Sequence, residues 1–275
     1  MEAIKIRQLD IGELFSAGWG IFSKNLGRIV LIICAAIIPA QIVLVLIQTL
    51  LGMLPSPVPQ TVTTGATAIR VFAVIALVLL VEAIPVLLGQ LLSLSAIAFL
   101  VEDAVEGRGL SWGRSLRQGF SRLPSVFMTQ ILFGILFFIL SLLLVIPGLI
   151  FFGYSCFSIY AAALRKTWGK RALDYSANLV TGQGIVVFIA MSVMEVIKIG
   201  LRQNANAVLG ALTDTPVCTA LGAVGMEIVV SLVTVIIVLY FLNNDYTRGP
   251  SKKEPVNPLT GAPALPRFNL TDTHQ

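Results

Sequence analysis

The sequence is short of the residues that enzymes use, and short of charge. Its one histidine is His274, near the end of 275 residues, which excludes a His-based triad or an HExxH zinc site from the apolar body of the chain. No GxxxxGK[ST] phosphate loop and no GxSxG elbow occurs. The three cysteines, Cys34, Cys156 and Cys218, sit in or beside apolar runs without CxxC spacing, so they read as small core residues and not as a redox or metal set. An intramembrane carboxylate chemistry at Glu82, Glu195 or Glu227 is the one catalytic route left open. The expectation is a protein that is not an enzyme and carries no metal or cofactor.

Charged residues make up 12% of the chain and hydrophobic residues 56%, against roughly 25% and 45–50% in soluble domains. The mean hydropathy is +0.90, which places the chain among integral membrane proteins. The net charge of +5 comes from small groups of Lys and Arg between apolar runs, with no single patch of the kind a nucleic-acid partner needs. Membrane lipids are the expected partners, and a protein partner stays unidentified.

What the chain has in abundance is long apolar runs. From Val126 to Leu164 about 39 residues pass without a charge, interrupted by Pro147-Gly148. One helix of that length would reach about 58 Å, nearly twice the roughly 30 Å hydrocarbon core, so the Pro-Gly is expected to turn the chain and make two spans, 126–146 and 149–164. The remaining spans read as 29–54, 71–101, 185–201 and 219–242. The first is too long for a signal-peptide core, so it is expected to stay in the protein, bending near Pro39. The second is one long helix kinked at Pro85. The fifth is marginal alone: about ten strongly apolar residues offer roughly −3 to −6 kcal/mol, whereas Glu195 and Lys198 at mid-membrane cost roughly +5 to +7 kcal/mol. Beyond 242 the Pro-rich, polar residues 243–275 read as a disordered tail.

The fold class is therefore all-α and polytopic, with six transmembrane helices in one domain over 1–242. Segments 10–25, 111–123 and 167–181 read as interfacial amphipathic helices, the first opened by the capping pattern Asp10-x-x-Glu13. With the N-terminus inside, all but Arg70, Lys198 and Arg202 of the nineteen Lys and Arg fall on the inner side, so both termini are expected in the cytoplasm. The three amphipathic segments also align: Asp10-Ile11-Gly12-Glu13, Ser111-Trp112-Gly113-Arg114 and Thr167-Trp168-Gly169-Lys170, followed by Gly18, Gly119 and Tyr175, then Phe22, Leu123 and Leu179. Each precedes two spans, which suggests three repeats of an amphipathic helix plus hairpin. The alternative is that such helices resemble one another wherever they occur.

Two sets of candidate site residues follow. Glu82, Glu195, Lys198 and Glu227 all fall in the outer half of their spans, where they could line a polar vestibule for a ligand or ion; intramembrane ionisable groups point to function by default. The other reading is that they reach the interface or form structural ion pairs. Arg114, Arg117, Arg122, Lys170 and Arg171 oppose apolar faces (Trp112, Leu116, Leu123; Trp168, Ala172, Leu179) and are expected to meet anionic headgroups, at about 1 kcal/mol per base, or a docking partner.

The stretches LDIGELFSAGWGIFSKNLGRIVLI, VEDAVEGRGLSWGRSL and above all VIPGLIFFGYSCFSIYAAALRKTWGKRALDYSANLVTGQG resemble the bacterial glycerophosphoryl diester phosphodiesterase membrane-domain family and related uncharacterised six-span inner-membrane proteins. The likeness covers about residues 9–242 and is most specific from Pro147 to the Ala172-Leu173-x-x-Ser176-x-x-Leu179-Val180-x-Gly182 run. Arg165-Lys166 stands where an acidic residue is expected. The 275 residues hold no phosphodiesterase barrel, so the resemblance implies a fold and an inner-membrane location but no diesterase activity and no site residues. The leading functional expectation is a non-catalytic plasma-membrane protein in membrane or envelope homeostasis; the alternative is a small transporter or lipid-handling protein that uses the vestibule.

Overall fold

The structure is a computed structural model, and it describes residues 3–53, 65–109, 111–212 and 216–249. Among these residues every regular element is an α-helix: α1 (Ala3–Ile6), α2 (Ile11–Met53), α3 (Gly65–Glu106), α4 (Trp112–Leu143), α5 (Val145–Ser155), α6 (Ser158–Leu164), α7 (Lys170–Val180), α8 (Gly184–Leu212) and α9 (Pro216–Arg248). Six stretches are long and apolar enough to cross a membrane: Gly12–Leu50, Val81–Glu106, Trp112–Leu143, Val145–Leu164, Gly184–Leu201 and Val224–Arg248. The chain is a multi-pass membrane protein.

α3 and α9 form the centre. From Ser95 to Asp103 and from Thr234 to Asp245 nearly every side chain is buried, as expected for helices surrounded by others. α2 lies along both of them. Its buried residues, Leu14, Gly18, Ile21, Phe22, Asn25, Ile29, Ile32, Ile33, Ala36, Ile37 and Ala40, recur at three- and four-residue steps and draw one stripe down the helix. Two glycines set the approach: a Cβ on Gly18 would lie 2.7 Å from Ile236, and one on Gly89 would lie 2.8 Å from Ala40.

Segment 10–25 is therefore not a separate helix lying flat. It runs unbroken into the first span and packs on α9, because its stripe continues past residue 25 without a breaker. Even Asn25 is satisfied inside the helix, donating to the Ile21 carbonyl at 3.0 Å and accepting from Arg28 at 2.6 Å. One half of the expected capping box forms: Glu13 accepts from the Asp10 N–H at 3.1 Å and holds Arg7 at 2.6 Å. Segment 111–123 is likewise continuous with its span, in α4. Only the third amphipathic segment stands alone, as α7. The aligned positions also differ in use. Gly18 and Gly119 both serve close packing, the latter with a notional Cβ 3.0 Å from the Ala96 backbone, but Gly12 and Gly113 touch nothing and Gly169 adopts a positive φ of 55°.

The hairpin turns earlier than Pro147-Gly148. A helix continued through Pro147 would drive its ring into the Leu143 carbonyl, and the chain breaks directly after that carbonyl, at Leu144 (φ −160°, ψ 132°). Pro147 then sits in the first turn of α5, where a missing N–H costs nothing. Gly148 lets α5 press on α4, since a Cβ there would clash with Ser141.

The fourth span is two helices and not one. Between α5 and α6 the chain unwinds at Cys156-Phe157, and Ser176 of α7 fills the gap: its hydroxyl accepts from the Phe157 N–H at 3.1 Å and donates to the Tyr154 carbonyl at 2.7 Å. Irregular backbone at membrane depth persists only where protein satisfies it. The buried face of α7 comprises Ala172, Leu173, Ser176, Leu179 and Val180, and Gly182 (φ 87°) turns the chain after it. The apolar side of this helix thus covers protein, and the same holds for Leu116 and Leu123 on α4, which pack on the core.

The expected tail also begins later than residue 243. α9 continues to Arg248, and Asn243, Asn244 and Asp245 are buried. Asn243 donates to the carbonyls of Ile4 and Arg7, both at 2.8 Å, and accepts from the Leu9 N–H at 3.0 Å, which ties the N-terminal segment to α9. Residues 250–275 lie outside the described residues.

Candidate ligand-binding cavity

Polar residues recur at helical spacing inside four spans. Gln90 and Ser93 lie one turn apart on α3, Ser155 and Ser158 flank the break between α5 and α6, Glu195 and Lys198 lie one turn apart on α8, and Glu227, Ser231 and Thr234 fall at i, i+4 and i+7 on α9. With Gln130 of α4 they line one cavity of about 400 Å³ in the bundle, walled elsewhere by Leu91, Ile97, Phe133, Phe152, Tyr160 and Met191. This volume lies within the roughly 300–1,000 Å³ of small-molecule sites.

Three of the four vestibule candidates meet here. Lys198 and Glu195 form an ion pair at 2.5 Å, with the Lys198 side chain 13% exposed and Glu195 37%, and Glu227 lines the same space. Glu82 does not join them. It borders a separate recess of about 390 Å³ against Leu44 and Gln48 of α2, because it lies two turns before Gln90 on α3.

Beside the cavity, two buried polar atoms of lining residues, Ser158 Oγ and Gln130 Oε1, have no hydrogen-bond partner among the described residues. Each such group costs about 1–3 kcal/mol when left dry. Ser231 and Thr234 instead spend their hydroxyl protons on their own helix, donating to Ile228 at 2.6 Å and Val230 at 3.3 Å, so their oxygens face other groups only as acceptors.

Beside the cavity lies an apolar groove of about 880 Å³ between α5 and the start of α8, lined by Ile146, Ile150, Gly153, Tyr154, Ile185 and Phe188 among others. Phe152 of the cavity and Phe188 of the groove meet edge to face at 6.1 Å and form the partition. Gly153 lets Phe188 approach so closely, as a Cβ would lie 3.1 Å from it.

A second polar cluster lies where α3, α6, α7 and α9 converge, and the sequence reading missed it. Arg165, directly after α6, reaches Glu102 of α3 at 2.5 Å and Asp245 of α9 at 2.6 Å. Tyr175 of α7 donates to the other Asp245 oxygen. Arg108 folds back over Gly107 (φ 72°) to Asp103 at 3.0 Å and Glu106 at 2.5 Å, and Tyr246 donates to Glu106 at 3.0 Å. Burial disfavours the Arg165 charge, but Asp245 and Glu102 more than offset that and hold the guanidinium above its usual value. Burial, and then the bond to Asp245, push the Tyr175 phenol above its usual value. The signal was available: spans two, four and six end on one predicted side, and each ends on a charge.

The basic candidates stand apart from both sites. Arg114, Arg117, Lys170 and Arg171 are exposed and Arg122 is half-buried, with Trp112 and Trp168 exposed beside them. Among the described residues, no three His, Cys, Asp or Glu side chains are grouped to hold a metal ion.

No family model, curated protein or solved structure matches the chain.

Proposed function

We propose that this chain is a non-catalytic plasma-membrane protein, with both termini cytoplasmic, that binds a small ligand in the bundle cavity and serves in transport or lipid handling. One observation carries the reading: Glu195, Lys198 and Glu227 converge on a single cavity. Ionisable groups within spans point to a functional site by default. The location and the inner-membrane setting rest on the placement of Lys and Arg and on the sequence resemblance.

The test is native mass spectrometry of the protein extracted gently from its own membrane, comparing wild type with Glu195→Gln. A small molecule or lipid carried at fixed stoichiometry and lost in the variant is the expected result. Bulk lipid alone in both forms sinks the reading and returns the protein to a scaffold role in envelope homeostasis. That second reading is favoured by the exposed Arg114, Arg117, Lys170 and Arg171, which suit headgroups or a docking partner.

A further inference from the structure

The groove between α5 and the start of α8 is apolar along its length and polar at one end. None of its lining residues is charged, and Ile146, Ile150, Ile185 and Phe188 give it hydrocarbon walls. The three isoleucines are exposed, so within a bilayer the groove opens sideways to lipid. At its polar end stand Gln183 and Tyr154, whose hydroxyl lies 3.3 Å from where a Cβ on Gly184 would be. The first bond of α8 runs from the Val187 N–H to the Gln183 carbonyl at 3.0 Å. The N–H groups of Gly184, Ile185 and Val186 therefore open a helix of 29 residues without a backbone acceptor. A cation stands close by. Gln8 Oε1 accepts from Gln183 Nε2 at 3.1 Å and from Arg248 Nη2 at 2.9 Å, which brings the guanidinium within about 6 Å of the Gln183 amide. Arg248 meets no carboxylate among the described residues.

We infer that this groove holds one phospholipid with an anionic headgroup. An acyl chain lies along Ile146, Ile150 and Phe188, the phosphate meets the Tyr154 hydroxyl and the first N–H groups of α8, and Arg248 supplies the counter-charge. An apolar channel that ends on hydrogen-bond donors and a cation matches a molecule with a hydrocarbon chain and an anion at its end. The lining offers no carboxylate to an ammonium, which favours a phosphoglycerol headgroup over phosphoethanolamine. The Phe152–Phe188 contact closes the groove off from the bundle cavity, so this site stands whether or not that cavity takes a ligand.

The test is native mass spectrometry of the full chain, delipidated in detergent and titrated with dioleoyl-phosphatidylglycerol or dioleoyl-phosphatidylethanolamine, reading the dissociation constant of the first lipid bound. Phosphatidylglycerol should bind about fivefold tighter, the contribution of one basic group near a headgroup. Arg248→Gln should bring the two lipids level. Ile150→Trp, at an exposed position where the larger ring fills the groove, should weaken the first phosphatidylglycerol at least about tenfold, the equivalent of roughly two buried methylene groups. Glu195→Gln should leave that lipid bound, which separates its fate from that of any ligand in the cavity. Equal affinity for the two lipids on wild type, or a first lipid untouched by Ile150→Trp, overturns the assignment. A preference that survives Arg248→Gln overturns it as well, and loss of the preference in Arg114→Gln/Arg117→Gln instead places the headgroup on the exposed bases of α4. Should Arg248→Gln fail to fold, the order of the two lipids on wild type and the effect of Ile150→Trp still decide.

Discussion

The ionic cluster and the cavity share α3, α6 and α9, and both place charge among apolar helices, yet they are built in opposite ways. In the cluster, Arg165 joins Glu102 and Asp245, residues 63 and 80 positions away, at 2.5–2.7 Å. In the cavity, an ion pair joins Glu195 to Lys198, one turn along a single helix. Pairing between distant helices fixes how they stand to one another. Pairing within one helix fixes no such relation, so the burial of these charges returns little to the architecture. The contrast teaches that the cluster ties three helices together across the bundle, whereas the Glu195–Lys198 pair lies along a single helix.

The strongest way to break the contrast is Arg165→Met. It leaves Asp245 buried without its cation and Glu102 with only the longer contact to Arg108 at 3.9 Å, and loss of one member of such a pair costs about 3–5 kcal/mol. The expected outcome is a large drop in thermal midpoint in detergent, partly recovered when Glu102→Gln is added. An unchanged midpoint would show that the cluster does not hold the helices.

Next comes Ser176→Ala, which leaves the buried Phe157 N–H and Tyr154 carbonyl without their bridge. The expected cost is about 1–3 kcal/mol, with faster amide exchange confined to the α5–α6 break; a global change or none would place the bridge elsewhere. Smaller again is the stability effect of Glu195→Gln, about 1 kcal/mol or less for a partly exposed local pair. A drop as large as that of Arg165→Met would erase the distinction between the two regions and make the cavity charges architectural.

The sequence showed these regions unequally. Charge-free length gave six spans, and intramembrane charge pointed to Glu195, Lys198 and Glu227, because both signals are local. The cluster depends on which helix ends meet, and Glu102, Arg165 and Asp245 are far apart in the chain. Glu82 was grouped with the cavity because a division into outer and inner half conceals the two turns of α3 that separate it from Gln90 and leave it in the neighbouring recess. Helix continuity through residue 25 was legible, since the apolar stripe passes it without a breaker, whereas the break at Cys156-Phe157 was hidden because it depends on Ser176 of α7. Pro147 did mark the hairpin, but a proline shapes the residues before it and then starts the next helix, so the turn lies at Leu144.

Tyr175 sets the finest test of the cluster, because its phenol is a neutral donor to Asp245. Tyr175→Phe removes one hydrogen bond to a charged acceptor, for which about 1.5–3 kcal/mol is an upper range at a half-buried site. The pH dependence then isolates the contact. The phenol is raised in the folded protein, first by burial and then by Asp245, whereas in the unfolded chain it titrates near its ordinary value of about 10. A group raised on folding lends stability that is fully present below the unfolded value and is lost as pH climbs toward the folded one. The gap between wild type and Tyr175→Phe should therefore stay constant up to about pH 10 and narrow above it, with the variant itself lacking that component. A gap that narrows from about pH 8, or persists unchanged well above pH 10, would mean that Tyr175 does not donate to Asp245 and that the cluster closes on α3, α6 and α9 without α7.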